Sequence, residues 1–320
     1  MGLEADKDIQ WAEFHKYGKA YVAAEAGEGE TGKKEKIALV FAQGAIGSGE
    51  SDDDMIGSET LGEAIRDARE DSTVKAIVLR VNSPGGSGLA SDVIWREVDL
   101  ARRAKPVVVS MGDLAASGGY YISCAASKIY AEPTTITGSI GVFGIIPNMQ
   151  GFFNNKLGIT FDGDKTNEYA DMFDISRPMR ANERAIIQDY VDHFYDTFKQ
   201  RVADGRKMSV EKVDEVGRGR VWTGVDAKNN GLVDELGGLE DAIASAAELA
   251  GLENYRTVDY PESKGLWQEL LEDLNSQTRT WVAQQVFGED VALMREFEKV
   301  RHARRAMGIQ ARMPFEIEVR

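Results

Sequence analysis

The chain has 320 residues, room for one large domain or two modest ones, and its 42% hydrophobic and 28% charged residues exclude a disordered polymer. With 38 Lys and Arg against 53 Asp and Glu, the net charge is −15, a surface that a nucleic-acid backbone repels. One cysteine and three histidines exclude a disulfide framework and argue against a thiolate–imidazole zinc site, so neither metal nor cofactor is expected.

Residues 1–35 read as an arm ending in a tether, because 24–34 are rich in Gly and charge and have nothing to bury. The N-terminal stretch lacks the apolar core of a secretory signal, and no run of 18 apolar residues offers a membrane span. The chain as written is therefore expected to be soluble. Residues 37–42 (IALVFA) form a short apolar run that predicts a buried strand. After a polar loop, Thr60-Leu-Gly-Glu63 fits a capping box opening a helix whose Leu61, Ile65 and Ala68 share a face. Residues 76–79 predict a second strand, stopped by Asn82-Ser-Pro-Gly-Gly86. A helix over 92–103 follows, with Ile94, Val98 and Ala101 in one row and Val93, Glu97 and Leu100 in another. Residues 105–110 supply a third strand, and 115–126 are a helix-like run of small residues.

Short buried strands alternating with helices predict an α/β fold with a largely parallel sheet and right-handed crossovers. Further on, Ile186, Tyr190, Phe194, Phe198 and Val202 recur every four residues and mark a long amphipathic helix over 183–203. Shorter helices are expected over 213–217, 224–231 and 239–249. Residues 252–320 read as a C-terminal extension, helical around 267–274 and 291–306, with a half-exposed strand from 312. The division expected is an arm over 1–35, a catalytic-type core over 36–251 and the extension over 252–320.

Two glycine-rich corners follow adjacent strands: Asn82-Ser-Pro-Gly-Gly86 and Gly112-Asp-Leu-Ala-Ala-Ser-Gly-Gly-Tyr-Tyr121. Ligands of open α/β sheets bind beyond the carboxyl ends of strands, so both corners lie where a site belongs. Ser117 stands at the expected start of a helix, where backbone N–H groups can stabilise negative charge. With Gly85 or Gly86 supplying one N–H and Gly118 another, a two-donor oxyanion hole is available beside a hydroxyl nucleophile, the arrangement acyl transfer needs. The same residues also suit an ordinary loop and close helix packing, and spacing alone leaves both readings open. Ser83, beside Pro84, is the rival nucleophile but suits a turn better.

Val81-Asn-Ser-Pro-Gly-Gly86, Met111-Gly-Asp-Leu-Ala-Ala-Ser-Gly-Gly-Tyr-Tyr121, Glu132-Pro-Thr-Thr-Ile-Thr-Gly-Ser-Ile-Gly-Val142, Gly219-Arg-Val-Trp-Thr-Gly224 and Ala227-Lys-Asn-Asn-Gly-Leu-Val-Asp234 resemble the signal peptide peptidase A (protease IV) family of serine peptidases. The likeness runs from about Lys36 to Leu252. It implies a ClpP/crotonase-like α/β core with a C-terminal helical extension, a Ser–Lys dyad, and anchoring to the outer face of the bacterial cytoplasmic membrane in the full-length enzyme. By that resemblance Ser117 is the nucleophile, and Gly118 with the Gly85–Gly86 corner forms the oxyanion hole.

The family's lysine follows a tyrosine shortly before Ser-Arg-Pro-Met; here Ala170 follows Tyr169 ahead of Ser176-Arg-Pro-Met179. A methyl group accepts no proton, and a serine hydroxyl is a weak nucleophile until a neighbour does. Long members of the family carry two related halves, the first supplying the lysine and the second the serine, and this chain resembles the second. The base is therefore expected from a missing N-terminal half or partner. Lys165 is a weak substitute; Lys128, His15, His193 and His302 are poorer still, and Asp113 and Cys124 read as a turn residue and a core residue. The expected partners are peptides such as cleaved signal peptides, further copies of the chain or the lysine-bearing half, with apolar contact surface on 183–203 and 111–145. Rival readings are an acyl-coenzyme A enzyme of the crotonase type and a non-catalytic assembly half.

Overall fold

The computed structural model describes residues 35–52, 55–261 and 308–312. The expected arm, the helices around 267–274 and 291–306, the strand beyond 312, and His15 and His302 lie outside the described residues.

Strand β1 (Glu35–Gln43) is followed by two short strands, β2 (Ala45–Gly47) and β3 (Met55–Gly57), and by helix α1 (Ser58–Glu70). Next come β4 (Val74–Ser83), β5 (Gly85–Ser87), α2 (Gly88–Ala104) and β6 (Val107–Ala116). Period-two alternation divides the strand residues between two buried faces. Ala38, Val40, Ile77, Leu79, Val81, Val107, Val109 and Met111 point to one face, packed against Leu61, Ile65, Ile94 and Val98 of α1 and α2. Ile37, Ala76, Val78 and Val108 point to the other. With both faces covered, the strands read as continuous apolar runs, as parallel strands under helices should. The row Ile94, Val98 and Ala101 is buried as expected, while Val93 is exposed.

The chain continues through α3 (Gly118–Ser123), β7 (Lys128–Ala131), β8 (Ile136–Gly138) and β9 (Phe143–Ile145). After a helical turn (Gln150–Phe152), a π turn (Phe153–Leu157) and a long irregular stretch come α4 (Ala181–Arg206) and α5 (Val210–Val216). Strand β10 (Val221–Thr223), α6 (Gly224–Asn229), β11 (Glu235–Leu236), α7 (Leu239–Ala250), β12 (Tyr255–Tyr260) and β13 (Gly308–Arg312) complete the described elements. Helix α7 covers the second face through Ala242, Ala246 and Ala247.

The main sheet runs β10-β8-β6-β4-β1-β12, parallel except between β10 and β8. One edge of β6 is shared: Val108–Ser110 pair with β7, whereas Leu114–Ala116 pair with β8. A second sheet, β3-β2-β5-β13-β9, stands at the carboxyl ends of β1 and β4.

Three boundaries differ from expectation. Helix α1 starts at Ser58, two residues before Thr60; Gly57 holds the cap position without a side-chain bond, and Thr60 Oγ1 instead accepts the Ser51 N–H at 2.9 Å. The small-residue run 115–126 splits between the end of β6 and α3, because Ser117 breaks the chain direction. In α4 only the C-terminal half of the apolar row is core: Phe198 and Val202 are buried, but Ile186 and Tyr190 are exposed. Among the described residues no helix is long and apolar enough to cross a membrane.

Candidate active site

Strands β4 and β6 run side by side, so the two glycine corners at their ends meet. Pairing holds to Val81–Met111, slips, and resumes at Ser83–Ala115. The irregularity is held by Asn82, whose Oδ1 accepts the Leu114 N–H at 3.1 Å. Ser83 is fully buried and its Oγ accepts the Gly85 N–H at 3.1 Å, so this hydroxyl is spent on the turn. Gly85 has φ +92°, a conformation that disfavours any side chain, and a methyl there would lie 2.5 Å from the Gly118 nitrogen. The glycine is what lets the two corners touch.

Ser117 sits at this contact with φ 54° and ψ −112°, a backbone conformation costing roughly 1–3 kcal/mol for a residue with a side chain. It is held from both sides: its N–H donates to Gly138 O at 2.8 Å, and its carbonyl accepts the Tyr121 N–H at 2.8 Å. The residue is fully buried, and its Oγ has no hydrogen-bond partner. An unmade bond of that kind costs about 1–3 kcal/mol, so the position carries strain and desolvation together. Below it, α3 is anchored by Tyr120, whose hydroxyl donates to Leu232 O at 2.8 Å, and by Tyr121, whose hydroxyl donates to Asp92 at 2.7 Å. The Tyr121 ring packs on Phe198 with centroids 4.7 Å apart. Ser91 completes the floor: it donates to Ser87 O at 2.8 Å, and a methyl on Gly118 would come within 2.6 Å of its oxygen.

The strand that receives Ser117 carries residues that spacing alone did not single out. Thr135 donates to Gly112 O and Thr137 to Ala115 O, each at 2.7 Å, lashing the approach to β8 and β8 itself to β6. Ser139, buried next to Gly138, also has a left-handed backbone, φ 48°, and its N–H donates to Arg220 O at 2.7 Å. The signal for these residues was the Thr-Thr-Ile-Thr-Gly-Ser run itself, dense in groups that bond backbone.

The remaining candidates are scattered. Ala170 lies in the exposed stretch 157–170. Lys165 is exposed there too, its ammonium 3.3 Å from Asp171 Oδ1 and 3.4 Å from Glu168 O. Lys128 sits over the Tyr130 ring at 5.1 Å, and its bond to that phenol raises its pKa, which keeps it protonated. His193 and Asp113 are exposed. Cys124 is buried, and burial pushes its thiol up to about 12, which leaves it inert.

Near Ala170, Asp171 and buried Glu183 bind Arg177 and Arg180: Arg177 reaches Glu183 at 2.6 Å and Asp171 at 3.0 Å, and Arg180 reaches them at 2.9 and 2.7 Å. The Arg177 bond holds the Glu183 carboxyl down to about 2. This clamp fixes the start of α4 to the preceding loop. Between that loop, α4 and residues 142–148 lies a cavity of about 470 Å³. A smaller apolar one of about 260 Å³ adjoins it, lined by Ser87, Leu89, Gly144, Phe173, Tyr190 and Phe194 among others.

Of the apolar surface expected on 111–145, only Ile145 at its end is exposed. The large apolar residues of 111–142 are buried or half-buried, and exposed ones gather from Ile145 onward, at Phe152, Leu157, Ile159, Phe161, Tyr169 and Phe173, with Ile186 and Tyr190 of α4.

Residues 99–253 match the profile of peptidase family S49. The chain is 44% identical over 251 residues to Protease 4 of Salmonella typhi, covering 78% of this chain and 40% of that one. It is 37% identical over 224 residues to a Synechocystis sp. relative, covering 70% and 78%. To an Enterococcus faecium relative, whose name is that of a signal peptide peptidase, it is 34% identical over 249 residues, covering 76% and 72%. Among solved structures, a ClpP1 variant from Listeria monocytogenes matches 64% of this chain and 94% of its own at 18% identity and a TM-score of 0.40. The chain thus spans about two fifths of the length of the Salmonella relative. Taken with the paired glycine corners, the family profile and the sequence relatives make the chain a member of peptidase family S49.

Proposed function

We propose that this chain is the serine-bearing part of a serine endopeptidase, with Ser117 as nucleophile, the N–H groups of Gly118 and of the Gly85–Gly86 corner as oxyanion donors, and a lysine base on a different polypeptide segment. The observation that carries the proposal is Ser117 itself: a hydroxyl without a hydrogen-bond partner, on a strained strand-to-helix turn, against two glycines whose backbones touch. Strain of this kind persists where the surroundings enforce it, and it gathers at functional sites.

In the reaction, Ser117 Oγ attacks the peptide carbonyl as its proton passes to the lysine amine, and the developing oxyanion is held by the backbone donors. Collapse expels the amine product, which takes the proton from the lysine and leaves an acyl-enzyme. Water then releases the acid by the same route. Ala170 offers nothing to accept that proton, and Lys165 is already paired with Asp171. The residues around Ala170 are open to solvent, which suits a position completed by a related half. Substrates of this class are cleaved signal peptides and other short unfolded chains. The apolar cavity beside Ser87 and Gly144 suits an apolar side chain of such a peptide. The full-length enzyme works at the outer face of the bacterial cytoplasmic membrane. Residues 36–251 form its peptidase core, and 252–320 an extension.

The test is reconstitution. Alone, the chain should hydrolyse a fluorogenic peptide with small apolar residues at background rate; mixed with a lysine-bearing half it should turn over, and the mixture made with Ser117→Ala should not. Brisk fluorophosphonate labelling of Ser117 in the isolated chain would refute the external base.

A further inference from the structure

The two backbone corners at Ser117 belong to different segments, and each runs directly into a helix. The Gly85–Ser87 corner opens α2, and Ser117 opens α3. Two N–H groups serve one oxyanion only at a fixed separation, because both must lie about 2.7–3.1 Å from the same point. Steric contact sets how near the corners come. A methyl on Gly85 would lie 2.5 Å from the Gly118 nitrogen, and one on Gly118 would lie 2.6 Å from Ser91 Oγ of α2. Contact of that kind resists approach but not separation.

Separation is resisted by a side-chain bond. Within the first turn of α3 the Tyr121 hydroxyl donates to Asp92 Oδ1 of α2 at 2.7 Å. The Tyr121 main chain is tied to the nucleophile, its N–H donating to Ser117 O at 2.8 Å. The phenol has no freedom to follow a drifting helix. Its ring is fully buried, stacked on Phe194 at 5.9 Å, tilted on Phe198 at 4.7 Å and met edge-on by Trp95 at 6.5 Å. Burial raises the pKa of the hydroxyl, so it stays a donor. Asp92 is held in turn: the same Oδ1 accepts the Arg201 Nε–H at 3.3 Å, and the Arg201 guanidinium lies over the Trp95 ring at 3.8 Å. A hydroxyl-to-carboxylate bond between two held groups is of the stronger, charge-assisted kind.

We infer that Asp92 and Tyr121 are positioning residues, a brace between α2 and α3 that holds the Gly118 and Gly85–Gly86 amides at the separation an oxyanion needs. That these amides meet an oxyanion rests on the peptidase function proposed above; the brace itself does not.

Tyr121→Phe is the cleanest test, because it removes the hydroxyl, keeps the ring and leaves Asp92 to Arg201. In the reconstituted enzyme kcat should fall about tenfold or more while KM stays within about twofold, since the oxyanion forms only after the substrate is bound. Asp92→Ala should match it, and the double variant should be no slower than either single one. Asp92→Asn still offers the phenol an oxygen and should keep kcat within about threefold of the unaltered enzyme. Tyr260→Phe is the matched control at the β12 edge of the sheet. Its hydroxyl donates to Asp71 Oδ2 at 2.8 Å beside Lys36, the same chemistry away from the corners, and its loss should leave kcat unchanged. In the isolated chain, hydrogen exchange at the Tyr121 and Cys124 amides should quicken about tenfold in Tyr121→Phe and Asp92→Ala, and not in Tyr260→Phe. Unchanged exchange or unchanged kcat in Tyr121→Phe, or an equal loss of kcat in Tyr260→Phe, would overturn the brace. A mixture of unaltered halves without turnover would instead sink the peptidase reading, and the exchange rates would still decide the brace.

Discussion

The glycine corners and the stretch from 145 to 180 adjoin the same groove and are built in opposite ways. At the corners every strand is paired, most of the surrounding side chains are buried, and polar ones are tied to backbone: Thr135, Thr137, Ser83, Ser91 and Asn82 each hold a main-chain group. Ser117 is the exception, the hydroxyl left without a bond. In the 145–180 stretch most residues face solvent, regular structure is confined to a pair of short turns, and order comes from four charged side chains, Asp171, Arg177, Arg180 and Glu183. Dry packing thus encloses the proposed nucleophile, whereas ionic contacts hold the segment around Ala170.

The contrast can be broken at its strongest point first. Ser117→Ala should cut turnover of the reconstituted enzyme by on the order of a thousandfold or more. It should also raise the unfolding free energy by about 1 kcal/mol, because an unpaired buried hydroxyl is removed. A variant that loses activity and stability together would show that the hydroxyl is structural. Next, Phe198→Ala, on the buried half of α4 against Tyr121, should lower stability by about 3–5 kcal/mol in denaturant titration.

Acid should act on the other region. The Glu183 carboxyl is lowered from its ordinary 4.5 to about 2, so its contribution is complete above pH 4.5 and is lost as pH falls toward 2. Asp171, held below the usual carboxylate range by Arg180, acts in the same direction. The first turns of α4 should therefore open in that window, by hydrogen exchange, before the central sheet does. Glu183→Gln should reduce the pH dependence and leave the part that Asp171 contributes. The smallest effect on stability belongs to Phe173→Ala: at 63% exposure it should cost less than about 0.5 kcal/mol. It should nevertheless weaken association with the lysine-bearing half, measured by sedimentation, if this surface is covered there.

The central strands and most helices are legible from apolar runs and four-residue spacing, because burial on both faces leaves a plain pattern over 37–42, 76–79 and 105–110. Ser117 is legible as a candidate from its glycine-rich corner and from the family motif around it; its backbone angle, its buried orphan oxygen and its contact with Gly85 come from long-range pairing that composition does not encode. Thr60 misled because a capping box is a local rule, and here β3 delivers the chain at Gly57, so the hydroxyl serves a loop instead. The row Ile186 to Val202 reads as one apolar face, yet the protein buries only half of it. Periodicity reports that a face is apolar, not what covers it. Strand β13 is illegible for a related reason: its partners lie more than 160 positions away.

The fork along β6 separates two jobs on one strand. Its first half pairs with β7 in the framework; its second half, against β8, leads into Ser117, whose N–H donates to Gly138 O. The turn between the two partner strands, Glu132–Thr135, links the two halves and is closed by the Thr135 N–H on Glu132 O. Because Thr135 of this turn donates to Gly112 O, a change in its length would be felt both in the pairing of β8 and in the placement of residue 117.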